Sequence, residues 1–142
     1  MESQQSHRIV VTLQHMAGAG ADAVPIADYI VRAWQRIEAT LTPIIGQRSV
    51  VTLYKRSFYL ASRHHPWLMD VHEGTQTSLD LATLKSRLLE HGSAEAAAAG
   101  GAALQMFLEV LINLFGSSLT ERLLRGVWAD LLPVAVQDKD QA

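Results

Sequence analysis

A chain of 142 residues that is 49% hydrophobic and only 18% charged has ample material for one buried core, which argues against disorder as its native state. The formal net charge of −2 supplies none of the concentrated basic field that nucleic acids demand, so no nucleic-acid partner is expected. The absence of cysteine removes disulfides, thiolate nucleophiles and sulfur-ligated metals together.

Few aromatics beside many Leu and Ala favour helices through side-chain entropy, so an all-α fold is the first expectation. The opening residues lack a basic region followed by a long apolar segment and a small-residue cleavage site, so no secretory signal is expected and the cytoplasm is the expected location. Over residues 8–17, Ile9, Leu13 and Met16 fall at helical spacing. Ile9, Val10, Val11 and Thr12 would also suit a strand; helix is the preferred reading, and residues 1–20 are the least defined part of the chain.

Gly18 and Gly20 break that pattern, and Pro25 is placed to open a helix, because its missing N–H would have no partner there. Ile26, Tyr29, Ile30, Ala33, Trp34, Ile37 and Leu41 then keep the helical period over several turns. Pro43 is expected to disturb the last turn, and Gly46 to end the helix in a left-handed conformation. A second helix is predicted from Val50, Leu53, Tyr54, Ser57, Phe58 and Ala61. It should stop near Ser62, since the residue before Pro66 avoids α geometry. Residues 65–77 read as a loop anchored by Trp67, Leu68 and Met69.

A third helix is expected over Leu79–Glu90, with Thr77 or Ser78 as N-cap and Gly92 as stop, burying Leu81, Leu84, Leu88 and Leu89. Ser93 would cap the Ala-rich helix that follows. In that helix Gly100 and Gly101 should mark either a kink or the close approach of another backbone, because each glycine costs about 1 kcal/mol relative to alanine. The same helix carries the most apolar stretch of the chain, yet Gln105, Glu109 and Asn113 recur every four residues along it. That stripe describes a buried central helix with one wet edge rather than a bilayer span, and no membrane partner is expected. Gly116 ends it, Ser118-Leu119-Thr120-Glu121 has the form of a capping box, and a last helix should run from Leu119 to Leu132 and stop at Pro133. Residues 134–142 read as a frayed tail.

Laid on itself with Gly46 over Gly116, an offset of 70 residues, the chain pairs Leu41 with Leu111, Ile44 with Leu114, Ile45 with Phe115 and Leu53 with Leu123. Tyr54 then meets Leu124, Lys55 meets Arg125 and Phe58 meets Trp128, and the match fails beyond Tyr59. The expected architecture is therefore a single domain over 1–142. It is a bundle of about five to six helices in which two pseudo-repeated helix-Gly-helix hairpins form a four-helix core. Surplus apolar surface on its central helix leads to the expectation of a homodimer.

Residues 54–68 are the densest functional-looking stretch, mixing cations, imidazoles and aromatics. Arg48 and Lys55, like Arg56 and Arg63, are seven apart and share helix faces, so they suit a phosphate or an acidic partner; an ordinary solvated helix face is the plain alternative. The candidate partner-binding residues are Arg48, Lys55, Arg56, Arg63, His64, His65 and Trp67. A possible ligand pocket between the hairpins would be lined by Trp34, Tyr54, Phe58 and Trp128. His64, His65 and His72 lack metal-ligand spacing, and neither a metal nor a cofactor is expected. A helix-turn-helix reading of the Gly46 region places Gln47 and Lys55 where buried residues are wanted.

The chain holds no G-x-S-x-G, no phosphate-binding glycine loop and no H-E-x-x-H, and catalysis is not expected. The expected function is that of a non-enzymatic regulatory or adaptor module that dimerises and binds a protein partner. A ligand-sensing bundle with a pocket between its hairpins is the alternative.

Overall fold

The structure, a computed structural model, describes residues 11–15, 22–72 and 81–131. It is all-helical, with no strand among the described residues. Among the described residues the α-helices after residue 22 are α1 (Ala23–Ile45), α2 (Gln47–Ala61), α3 (Leu81–Glu90), α4 (Ser93–Phe115) and α5 (Ser117–Leu131), with a 3-10 helix at Pro66–His72 after α2. Residues 11–15 are helical, as preferred, and Leu13 is fully buried in the core. The remainder of the first segment, the Thr77 and Ser78 caps, the stop at Pro133 and the tail lie outside the described residues.

Glycine makes the two sharpest corners. Gly46 alone separates α1 from α2 with φ 90° and ψ 150°, and Gly116 alone separates α4 from α5 with φ 85° and ψ 159°. This differs from the expected left-handed helix end: φ is positive, but the extended ψ swings the chain at once into the next helix, a region of backbone space that is essentially glycine's own. Each corner glycine serves both helices. Gly46 N–H donates to Thr42 O and its carbonyl accepts from Val50 N–H; Gly116 N–H donates to Ile112 O and its carbonyl accepts from Thr120 N–H. With no residue left over for a separate N-cap, Ser118 falls inside the first turn of α5, and the expected capping box does not form there. Nor does Ser93 cap α4. Gly92 stands at that position with its carbonyl accepting Ala96 N–H, and no side chain caps the helix.

Pro43 lies inside α1 without ending it. Its missing N–H removes one bond near the C-terminus, where few turns remain to be disturbed.

The two long helices, α1 and α4, pack against each other. The short helix α2 packs most extensively on α4, and α5 and α3 both pack on α1. The buried face of α1 is Ile26, Ala27, Ile30, Ala33, Trp34, Ile37 and Leu41, which is the periodic set read from the sequence with Ala27 added and Tyr29 only half-buried. Four rings from α1, α2 and α4 fill the centre: Trp34 lies 5.0 Å from Tyr54 and 5.1 Å from Phe107 between centroids, both edge to face, and Phe58 sits 4.3 Å from Tyr54. Helix α4 runs unbroken through Gly100, where the side chain of Ile30 occupies the space a β-carbon would need. The expected kink or backbone approach is thus replaced by an inserted side chain.

Helix α4 is long and apolar enough to cross a membrane, and half of its most apolar window is buried inside the fold. Along its wet edge Glu109 and Asn113 are exposed and Gln105 is half-buried. In α3, Leu84 and Leu88 are buried, Leu81 is half-buried and Leu89 is exposed, and Lys85 Nζ reaches Asp28 Oδ1 of α1 at 2.8 Å.

Candidate functional site

Helix α2 is amphipathic in the plainest way. Val50, Val51, Leu53, Tyr54, Ser57, Phe58 and Ala61 turn inward, and the buried Ser57 hydroxyl is satisfied by donating to Leu53 O at 2.7 Å. The opposite face is left to Arg48, Thr52, Arg56 and Tyr59, all exposed, with Arg63 exposed in the turn that follows and Lys55 half-buried beside them. Positions 48, 52, 56 and 59 advance by three or four residues and so lie on one stripe, and Arg63 follows four residues later in the closing turn. From residue 39 to residue 69 the chain has four cations and no carboxylate, although acids outnumber bases over the whole sequence. The stripe is therefore a local basic face on a molecule of slight net negative charge, with one exposed tyrosine ring set between Arg56 and Arg63.

Beyond α2 the expected cluster divides. Arg63 and His64 stay exposed in the closing turn, where the amides of His64 and His65 both donate to Ala61 O. Leu68 is the true anchor, fully buried, whereas Met69 is exposed. His65 and Trp67 are turned inward onto α4. His65 Nδ1 lies 2.7 Å from Glu95 Oε2, and Trp67 Nε1–H donates to the same oxygen at 2.9 Å. The Trp67 indole also stacks on the His91 ring, centroids 4.1 Å apart and planes 18° apart, while His91 Nδ1 lies 2.9 Å from Arg87 O.

Glu95 stands in the first turn of α4, where the helix dipole favours a negative charge. Its carboxyl is held below the usual carboxylate range, first by the Trp67 indole N–H and then by the hydrogen bond and charge of His65 and the charge of His91; partial burial pushes the other way. The arrangement is a latch that fastens the 3-10 helix to the start of α4. His65 Nδ1 and the Trp67 N–H are thus committed within the chain, which leaves Arg48, Arg56, Tyr59, Arg63 and His64 as the outward-facing part of the site.

Of the proposed pocket residues, Trp34, Tyr54 and Phe58 lie in the core with at most 2% exposure. They pack ring against ring, so the space between them is taken by their own side chains. The side chains of Trp128 and His72 lie outside the described residues. No group of three His, Cys, Asp or Glu side chains that could hold a metal ion occurs among the described residues. The single-residue corner at Gly46 is shorter than the three or four residues that join the helices of a helix-turn-helix.

Sequence reasoning missed Glu95, His91 and Tyr59. The first two are brought to Trp67 only by the packing of α4 beside the 3-10 helix. Tyr59 was legible, since it stands three residues after Arg56 and four before Arg63. Comparison of the chain with protein-family models, curated proteins and solved structures finds no significant match.

Proposed function

We propose that this protein is a non-enzymatic adaptor module that recognises an acidic protein segment through the outer face of α2. The observation that carries the reading is the stripe itself. Exposed Arg48, Arg56 and Tyr59 lie on one side of a helix whose other side is packed into the core, and exposed Arg63 stands in the turn that closes it. Arginine suits carboxylate recognition because its planar fork makes paired hydrogen bonds, and an exposed tyrosine adds contact area at low entropic cost.

The scaffold that holds this face is read as two copies of one hairpin about a pseudo-twofold axis. In support, a 23-residue helix, a corner glycine and a 15-residue helix occur twice, and every boundary of the second unit is displaced by the 70 residues that separate Gly46 from Gly116. Leu41 and Leu111 are both buried, while Ile44 and Leu114 are exposed to 55% and 60%. Ile30 and Gly100 carry the same offset and touch, as positions must that lie on such an axis.

Part of the apolar surface from which a homodimer is expected is used within the chain. Eleven residues of α4, among them Leu104, Phe107, Leu108 and Leu111, are buried against its own neighbours. Partner binding does not rest on dimerisation.

The test is fluorescence anisotropy with a labelled Ala-based helical peptide bearing Glu along one face, beside a matched peptide bearing Lys. The Glu peptide is expected to bind, more weakly as salt is raised, and to lose about tenfold in affinity for the Arg56→Glu/Arg63→Glu variant, whose helicity and melting are unchanged. Equal binding of both peptides, or indifference to the charge reversal, overturns the reading.

A further inference from the structure

The basic stripe runs at its N-terminal end into an open groove of about 460 Å³ at the glycine-corner end of the bundle. Its apolar lining is Ile45, Leu53, Leu114 and Phe115, contributed by both hairpins, and Arg48, Ser49 and Thr52 complete it. Leu114 is 60% exposed, the most exposed large apolar side chain among the described residues. Arg48 and Thr52 therefore belong at once to the groove and to the stripe. The Thr52 hydroxyl is already bonded to Arg48 O, so the charge that the groove presents is the guanidinium.

From this continuity we infer that the partner segment is amphipathic. One bulky apolar side chain seats against Leu114 and Leu53, while carboxylates along the same segment meet Arg48 at the groove and Arg56 about 12 Å further along the α2 axis. The inference rests on the proposed acidic-partner reading and adds the anchor. Charge complementarity selects the occupant: an apolar groove edged by an arginine, within a stretch free of carboxylates from residue 39 to residue 69, favours a segment that is both apolar and acidic. A purely apolar ligand would leave Arg48 without a counter-charge. A purely acidic one would leave the groove wet.

Two labelled helical peptides decide the matter, both with the same Glu face and differing only in a Leu or a Gln at the anchor position. They are titrated against the wild-type chain and against Leu114→Gln. The substitution is at an exposed site and should not disturb folding, which circular dichroism checks. The anchored peptide should bind the wild type about tenfold more tightly than the anchorless one, and Leu114→Gln should erase that advantage while leaving the anchorless peptide unaffected.

If the two peptides bind the wild type equally, the anchor is refuted while the acidic-partner reading stands. If neither binds, both fail. Sedimentation of the same samples guards against a second copy as occupant. A wild-type dimer that Leu114→Gln dissociates, and that the anchored peptide cannot displace, would overturn the inference.

Discussion

Ile30 fills the place that a side chain on Gly100 would need: a β-carbon built on the glycine would stand 2.8 Å from Ile30 Cγ1 and nearer still to Cδ1. Both residues are fully enclosed where α1 packs against α4, so the only group that can yield is the isoleucine side chain itself. Gly100→Ala gains about 1 kcal/mol in helix propensity but forces Ile30 from its rotamer against close-packed neighbours. The net expectation is a loss of about 1 to 2 kcal/mol. Urea unfolding followed by far-ultraviolet circular dichroism measures it. Ile30→Val, which removes Cδ1, should recover part of that loss in the double variant, giving a clear non-additive coupling between the two positions.

The corner glycines make a second expectation. At φ 90° and 85° with extended ψ, neither Gly46 nor Gly116 has a neighbour within 4 Å of a would-be β-carbon, so space is not the obstacle. Backbone strain is. Gly46→Ala and Gly116→Ala should each cost about 1 to 3 kcal/mol in the same unfolding experiment, and by similar amounts because the two corners have the same geometry.

Gly126 supplies the opposite sign. It sits within α5 on the exposed side, with an ordinary helical backbone and nothing within 4 Å of an added β-carbon. Gly126→Ala should therefore stabilise the protein by about 0.5 to 1 kcal/mol, through lower entropy of the unfolded chain. An unchanged or lowered midpoint would show that the surface of α5 at this point is not free.

The latch predicts a pH dependence. The Glu95 carboxyl is depressed in the folded state relative to the unfolded chain. Its contribution to stability is thus fully present above the unfolded glutamate value of about 4.3 and is lost as pH falls through the lower folded value. Glu95→Gln should lower stability near neutrality and flatten the acid limb below about pH 4 in urea melts across the acid range. The effect should be modest, because the Glu95 side chain is 40% exposed and solvent screens it. An acid limb identical to that of the wild type would mean that the hydrogen bonds to His65 and Trp67 add nothing in water.

Local pattern was enough to read the helices. The period of Ile26 to Leu41 marked the buried face of α1, Gly46 and Gly116 marked both corners, and the Gln105, Glu109 and Asn113 stripe marked the wet edge of α4. All of these are properties of neighbours within a few residues, which is the range over which backbone preference and amphipathic spacing act. The caps differ from expectation for a related reason: Ser93 and Ser118 carry good capping chemistry, but Gly92 and Gly116 hold the cap positions.

The candidate site was legible only in its outward half. The sequence by itself determined an all-helical chain with a basic face on its second helix, because charge and spacing along one helix need no partner to be seen. Tertiary structure alone decided that His65 and Trp67 turn inward to Glu95, roughly thirty residues away, and that Trp34, Tyr54 and Phe58 close on one another instead of lining a pocket. It also decided that Leu114 stands exposed beside Arg48. Each of these depends on which helices meet and at what depth, and burial of the whole apolar surface at once sets that, rather than the preference of any one segment.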